Sequence, residues 1–159
     1  INYILNDTPT KVRATGIKPF KNYKYDCHST SELVFREELH ASLTLSWLSA
    51  IKTRRMIIGS SQNTIVYDHL DEESQIKIFD HSINYTDLNK DTQFKYHTGE
   101  VLIPKLNFSE PLKNEIKAIV DTLLNNKNFP IDVNHAINTV KIIEALNKSL
   151  SKNGDFIEL

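Results

Sequence analysis

The densest positive charge in this sequence is Lys52, Arg54 and Arg55, three cations within four residues at the entrance to an extended segment. Such a cluster serves either as a solvated strand edge or as an anion-binding site. His97 falls in a later extended run, where a histidine on a polar strand face is ordinarily solvated. The single cysteine, Cys27, stands beside His28; with a histidine from elsewhere it could form a nucleophilic pair. His69 and His81 fall in or beside extended segments, and Asp71-Glu72-Glu73 reads as a polar turn. No second cysteine and no H-x-x-x-H spacing is present, so the sequence offers no zinc site. The four glycines, at 16, 59, 99 and 154, are too dispersed for G-x-G-x-x-G or a P-loop, so no nucleotide-binding loop of the common kinds is expected.

The elements that must carry these groups follow from periodicity. Residues 10–18 alternate polar with apolar or small residues, as a half-buried strand does. Residues 19–31, with Pro19, Asn22 and Asp26, read as a connection. Glu32 to Leu48 is the longest extended candidate. Its odd positions 39–47 are apolar, and His40, Ser42, Thr44 and Ser46 form a polar face with Arg54 expected opposite. Trp47 is expected in the core. Thr53–Ser60 and Thr64–Leu70 read as a hairpin about Gly59 and Asn63. Gln75–Phe79 alternates again, residues 80–92 read as a loop, and Gln93–Leu106 forms a last strand ended at Pro104.

The back third changes period. Ser109-Glu110-Pro111 opens a helix with Leu112, Ile116, Ile119, Val120, Leu123 and Leu124 on one stripe. Asp132 caps a second helix, expected to bury Val133, Ala136, Ile137, Val140, Ile143 and Leu146 and to stop at Asn153-Gly154. Phe156–Leu159 reads as a short closing strand. The expected fold is α+β: an open, largely antiparallel sheet of about six strands with C-terminal helices on one face, a two-layer sandwich.

Composition bounds the rest. The chain has 159 residues, 40% hydrophobic and 25% charged, which fits one folded domain over 1–159. Nineteen basic residues against twenty acidic ones leave a net charge of −1, so no bulk electrostatic case exists for nucleic acid or an anionic membrane. No apolar run is long enough to span a bilayer. One cysteine fits a reducing, cytoplasmic setting. Ile1, Ile4 and Leu5 lie on one helical face before Asn6–Pro9, so the chain reads as opening on the tail of a helix, as if cut from something longer.

In order along the chain, Ser46-Trp47-Leu48, Lys52-x-Arg54-Arg55, Ile58-Gly59-Ser60 and Tyr67-Asp68 are followed by Tyr96-x-x-Gly99-Glu100, Pro104-x-Leu106 and Glu110-Pro111-Leu112. Ile143-Glu144-Ala145, Ser149-Leu150 and Asn153-Gly154 complete the series. This run resembles the C-terminal domain of the Gfo/Idh/MocA family of NAD(P)-dependent oxidoreductases, most of all its UDP-N-acetylhexosamine-type 3-dehydrogenases. The resemblance implies a parent enzyme that uses NAD or NADP to oxidise a sugar or sugar nucleotide. The family's dinucleotide loop, its Glu-Lys-Pro lysine and its Asp-x-x-x-His pair would all lie upstream of Ile1, so no catalytic, cofactor or metal residue is assigned here. The resemblance also implies a homodimer or homotetramer through the sheet face, and Lys52, Arg54, Arg55, Tyr96 and His97 as the substrate-side candidates. The isolated chain is then expected to be inactive. Two alternatives carry different chemistry: a non-enzymatic α+β module that binds or dimerises through its sheet, and a small hydrolase using Cys27.

Overall fold

A computed structural model of the chain describes all residues except 21, 37–38, 87–92, 108, 126 and 130; within 83–86 and 93–96 only backbone is described. Helix α1 (Asn2–Leu5) is followed by strands β1 (Lys11–Ile17), β2 (His28–Arg36), β3 (Leu39–Ser46), β4 (Arg55–Gly59), β5 (Asn63–Asp68), β6 (Ile76–Thr86) and β7 (Gln93–Leu102). Helices α2 (Pro111–Asn125) and α3 (Val133–Ser151) precede a short β8 (Ile157–Glu158). All strand pairs are antiparallel, and the fold is α+β, as its two periods imply. The strands number eight among the described residues and divide into two four-stranded sheets. The chain clusters into two compact units: Ile1–Ala50 with Pro111–Leu159, and Ile51–Glu110.

The first unit carries the sheet β3-β2-β1-β8, with α3 laid on one face. Val12, Leu33 and Phe35 from the strands meet Ile142 and Ala145 from α3, with Leu39, Ala41, Leu43, Leu146 and Ile157 around them. The buried stripe of α3 is therefore Ile142, Ala145 and Ser149. This corrects the expected stripe, since Val133, Ile137, Val140 and Ile143 are exposed. The buried stripe runs one position away from the expected one, through Ile142, Ala145 and Ser149, and an apolar count has no place for the polar Ser149. Asp132 caps α3 as expected, its carboxylate accepting from the His135 N–H at 2.9 Å. None of the residues of α2 is buried.

The single long strand expected over Glu32–Leu48 is two strands, β2 and β3, paired with each other. Leu33 and Phe35 have the same odd parity as Leu39, Ala41 and Leu43, so the apolar alternation runs through the reversal without a break. Trp47, expected in the core, is 90% exposed. Helix α3 ends with Ser149 at Ala14, whose row continues through Ser31 to Leu43. Leu45 lies in the next row and Trp47 beyond the last one, past the helix that would cover them. Strand β6 likewise continues to Thr86, into the segment expected to be loop, because β7 pairs with it there.

The second unit is the meander β4-β5-β6-β7, each strand paired with the next in sequence. The β4–β5 hairpin closes with the Ser60 N–H donating to the Asn63 carbonyl at 2.9 Å. None of the unit's described residues is buried.

Candidate functional site

Away from α3, the first sheet presents a polar face on which Glu32 is the hub. It accepts from Arg13 Nε at 2.7 Å and lies 3.2 Å from His40 Nδ1. The hydrogen bond from Arg13, and then the one from His40, hold the Glu32 carboxyl below its ordinary pKa. The strand residue opposite Ser42 is Glu32, and opposite Thr44 it is Thr30. Arg54 belongs to the second unit, just before β4. Lys11 and Arg13 both sit over the Phe156 ring, at 5.0 and 4.7 Å from its centroid. A shallow groove of about 650 Å³, bordered by Lys11, Val34, Arg36, His40 and Phe156, runs beside them. Arg36 in turn holds Asp7 at 2.8 Å. The groove's charged lining, Lys11 and Arg36, is thus basic, set around Val34, Phe35 and Phe156.

The five residues singled out in the sequence all lie in the second unit, and they are not brought to one place. Arg55 donates through Nε and Nη2 to a single oxygen of Asp68, at 3.1 and 2.8 Å, directly across the β4–β5 pair. Arg54 precedes it in the chain and therefore belongs to the opposite face. There it stands level with His69, whose N–H donates to the Arg54 carbonyl at 3.0 Å. The His69 ring is 3.1 Å from the Tyr67 hydroxyl. Arg54, Tyr67 and His69 thus share one face, a grouping the sequence shows only once the register is known. Lys52 is exposed in the segment leading into β4. His97 is on β7, with Nε2 3.9 Å from Asp80. Tyr96 pairs in β7 with Ile83, and its side chain lies outside the described residues. Strands β4 and β7 are the two edges of this sheet, and His97 pairs with Ser82 while Arg55 is level with the start of β6. At strand spacing and rise these groups are on the order of 25 Å apart, too far for one monosaccharide to touch both.

Among the described residues, no three His, Cys, Asp or Glu side chains come together as metal ligands. No described helix is long and apolar enough to cross a membrane. Cys27 is buried beside the strand ends, its carbonyl accepting from the Trp47 N–H at 2.8 Å.

Three carboxyls act as clamps. Besides Glu32, Asp68 is held low by Arg55 and the Leu70 N–H, and Asp71 is held far below its usual range by the Ser74 hydroxyl and by Lys77. Each binds its proton more weakly folded than unfolded. The stability they supply is therefore complete above the unfolded carboxyl pKa, near ~4, and is lost as pH falls through the lower folded values. Urea unfolding followed at pH 7, 5 and 3 should show a midpoint that is flat at first and falls below about pH 5. Asp71→Asn should lower the pH 7 midpoint and flatten that acid limb.

No protein-family model matches the sequence, and no curated protein matches it. Solved structures do match. UDP-N-acetylglucosamine 3-dehydrogenase GnnA from Acidithiobacillus ferrooxidans superposes with a TM-score of 0.71 at 14% identity, over 93% of this chain and 42% of that one. An NAD-binding protein from Listeria innocua gives 0.71 at 13% identity, over 99% and 47%. An oxidoreductase from Sinorhizobium meliloti gives 0.67 at 11%, over 99% and 49%. At these identities the shared property is the fold, and this chain spans a little under half the length of each protein it matches.

Proposed function

We propose that the chain is the C-terminal, substrate-side and oligomerisation part of an NAD(P)-dependent oxidoreductase acting on a sugar or sugar nucleotide in the cytoplasm. The observation that carries this reading is the lopsided coverage: nearly all of this chain overlays less than half of a UDP-N-acetylglucosamine 3-dehydrogenase. The residues present do not fit a dinucleotide. The four glycines are scattered, and every strand pair in the described structure is antiparallel, whereas a dinucleotide crevice forms at the carboxyl ends of parallel strands. Cofactor and catalytic groups are thus assigned to a partner region, and no chemical step is assigned to this chain. Lys52 and Arg54, the latter grouped with Tyr67 and His69, are the groups we place toward a substrate phosphate. Tyr96 and His97 are those we place toward sugar hydroxyls. Arg55 is already engaged by Asp68 and serves chiefly to hold β4 on β5.

The coding sequence in frame upstream of Ile1 tests this directly. The expected result is a strand–G-x-G-x-x-G–helix unit that runs into Ile1, together with an absence of NADH binding when the 159-residue chain alone is titrated. A start codon within a few residues of Ile1, or turnover by these 159 residues, would sink the proposal.

A further inference from the structure

Val34 lies outside the cluster that packs on α3, yet it is only 7% exposed. Its two cross-strand partners are Lys11 on β1 and His40 on β3, and Arg36 follows it two residues along β2. All four border the groove of about 650 Å³, with Phe156 beside Lys11. Small-molecule sites typically enclose roughly 300–1,000 Å³. A bulge between Val34 and Arg36 sets Arg36 opposite Leu39, which packs on the core, while Arg36 itself lines the groove. Bulges re-aim side chains in this way next to functional sites.

Each basic group keeps donors that the described residues do not use. Lys11 joins no ion pair among those residues; its ammonium rests 5.0 Å from the centre of the Phe156 ring, which places the charge without neutralising it. Arg36 meets Asp7 through Nε at 2.8 Å, which leaves its two terminal nitrogens to a ligand. His40 faces Glu32 through Nδ1 at 3.2 Å, and when protonated it donates through Nε2 as well. The acidic neighbours are engaged or set aside: Glu32 also accepts from Arg13, and Glu158, level with Lys11 on β8, does not border the groove.

Lys11 and His40 stand two strands apart, about 10 Å between their backbones, within reach of one group seated between them. Arg36 closes the third side. A carboxylate offers only two oxygens in one plane, whereas a phosphoryl group offers three oxygens and nearly two charges, which suits donors converging from three directions. We infer that this groove binds a small phosphate monoester. Its phosphoryl group sits between Lys11, Arg36 and His40, and its organic body lies along Val34 and Phe156. The inference goes beyond the function proposed above, which uses none of these residues.

Calorimetric titration of the 159-residue chain with phenyl phosphate tests it, with benzoate and inorganic phosphate as comparison probes. Phenyl phosphate should bind saturably at one site, about 10-fold more tightly than either comparison probe. Lys11→Gln and Arg36→Gln should each weaken it by about 10-fold or more, with unchanged far-UV circular dichroism. Lys141→Gln, exposed on α3, should leave the affinity as it is. In amide spectra of the wild type, the resonances that move should be those of Lys11, Val34, Arg36 and His40. No saturable binding, movement confined to other residues, or wild-type affinity in Lys11→Gln would overturn the inference. Equal affinity for benzoate or for inorganic phosphate would overturn it too, the first because a carboxylate suffices, the second because the apolar floor adds nothing. Each of these failures leaves the oxidoreductase reading standing, because that reading is decided by the upstream sequence and by NADH titration.

Discussion

Phe35→Ala should cost roughly 3–5 kcal/mol and leave the first unit largely unfolded at 37 °C. Phe35 is 1% exposed and is the largest of the fully buried side chains. It stands on β2, an interior strand of the first sheet, and packs in the cluster of Val12, Leu33, Ile142 and Ala145. Every buried residue among those described belongs to this unit, so no second core can take up the loss. A folded domain of this size holds on the order of 5–15 kcal/mol in all, so the substitution removes a large share of it. Phe35→Leu keeps most of the volume and should cost only about 1–1.5 kcal/mol. Far-UV circular dichroism against urea is the suitable probe, because Trp47, 90% exposed, reports little of the core. Equal stability of Phe35→Ala and wild type would refute the packing of α3 on this sheet.

How much of this was legible in the residues depends on whether a feature is local. The α3 cap at Asp132, the β4–β5 hairpin and the antiparallel order all follow from short-range signals, since period and turn chemistry act within a few residues. The β2–β3 reversal did not show. Glu37-Glu38 lacks the Gly, Asn or Pro that marks a turn, and the parity of the apolar positions is the same on both sides of it. Burial of Trp47 was expected from residue type, but burial depends on how far α3 reaches, which no local pattern encodes. The stretch 80–86 read as loop because Asp80, His81, Ser82 and Asn84 outweigh Ile83 and Tyr85, an alternation of only two apolar positions.

The candidate site was legible in kind but not in arrangement. Lys52, Arg54 and Arg55 look like one cluster in the sequence, yet alternation in a strand sends Arg54 and Arg55 to opposite faces. Arg54 instead gains Tyr67 and His69, which are 13 and 15 positions downstream and arrive only through the hairpin register. Glu32 joins Arg13, 19 residues earlier, with His40, and no period relates those three positions. Long-range pairing, not composition, makes such groupings.

Ser149→Ala should destabilise the first unit by about 2 kcal/mol, a large effect for the loss of one oxygen. Strand β8 pairs with β1 only at Lys11–Glu158 and Val12–Ile157. Continued by two residues, the same register would set Ala14 opposite Asp155. The strands have parted there, and the fully buried Ser149 hydroxyl fills the gap. It accepts from the Ala14 N–H at 2.8 Å and donates to the Asp155 carbonyl at 2.6 Å. One side chain of α3 therefore supplies the missing rung of the sheet and fixes the helix to both strands it covers. Just beyond it Gly154 turns with φ 95°, where any side chain would run into the Thr15 methyl. Alanine would leave the buried Ala14 N–H without a partner and remove the bond to the Asp155 carbonyl, and the cost of an orphaned buried donor exceeds the net worth of an ordinary hydrogen bond. Ser151→Ala removes an exposed hydroxyl on the same helix and should change stability by less than about 0.5 kcal/mol. Urea midpoints of the two variants, with amide exchange at Ala14, separate the cases. In Ser149→Ala the Ala14 amide should exchange much faster, and an unchanged rate would show that the hydroxyl is not the rung.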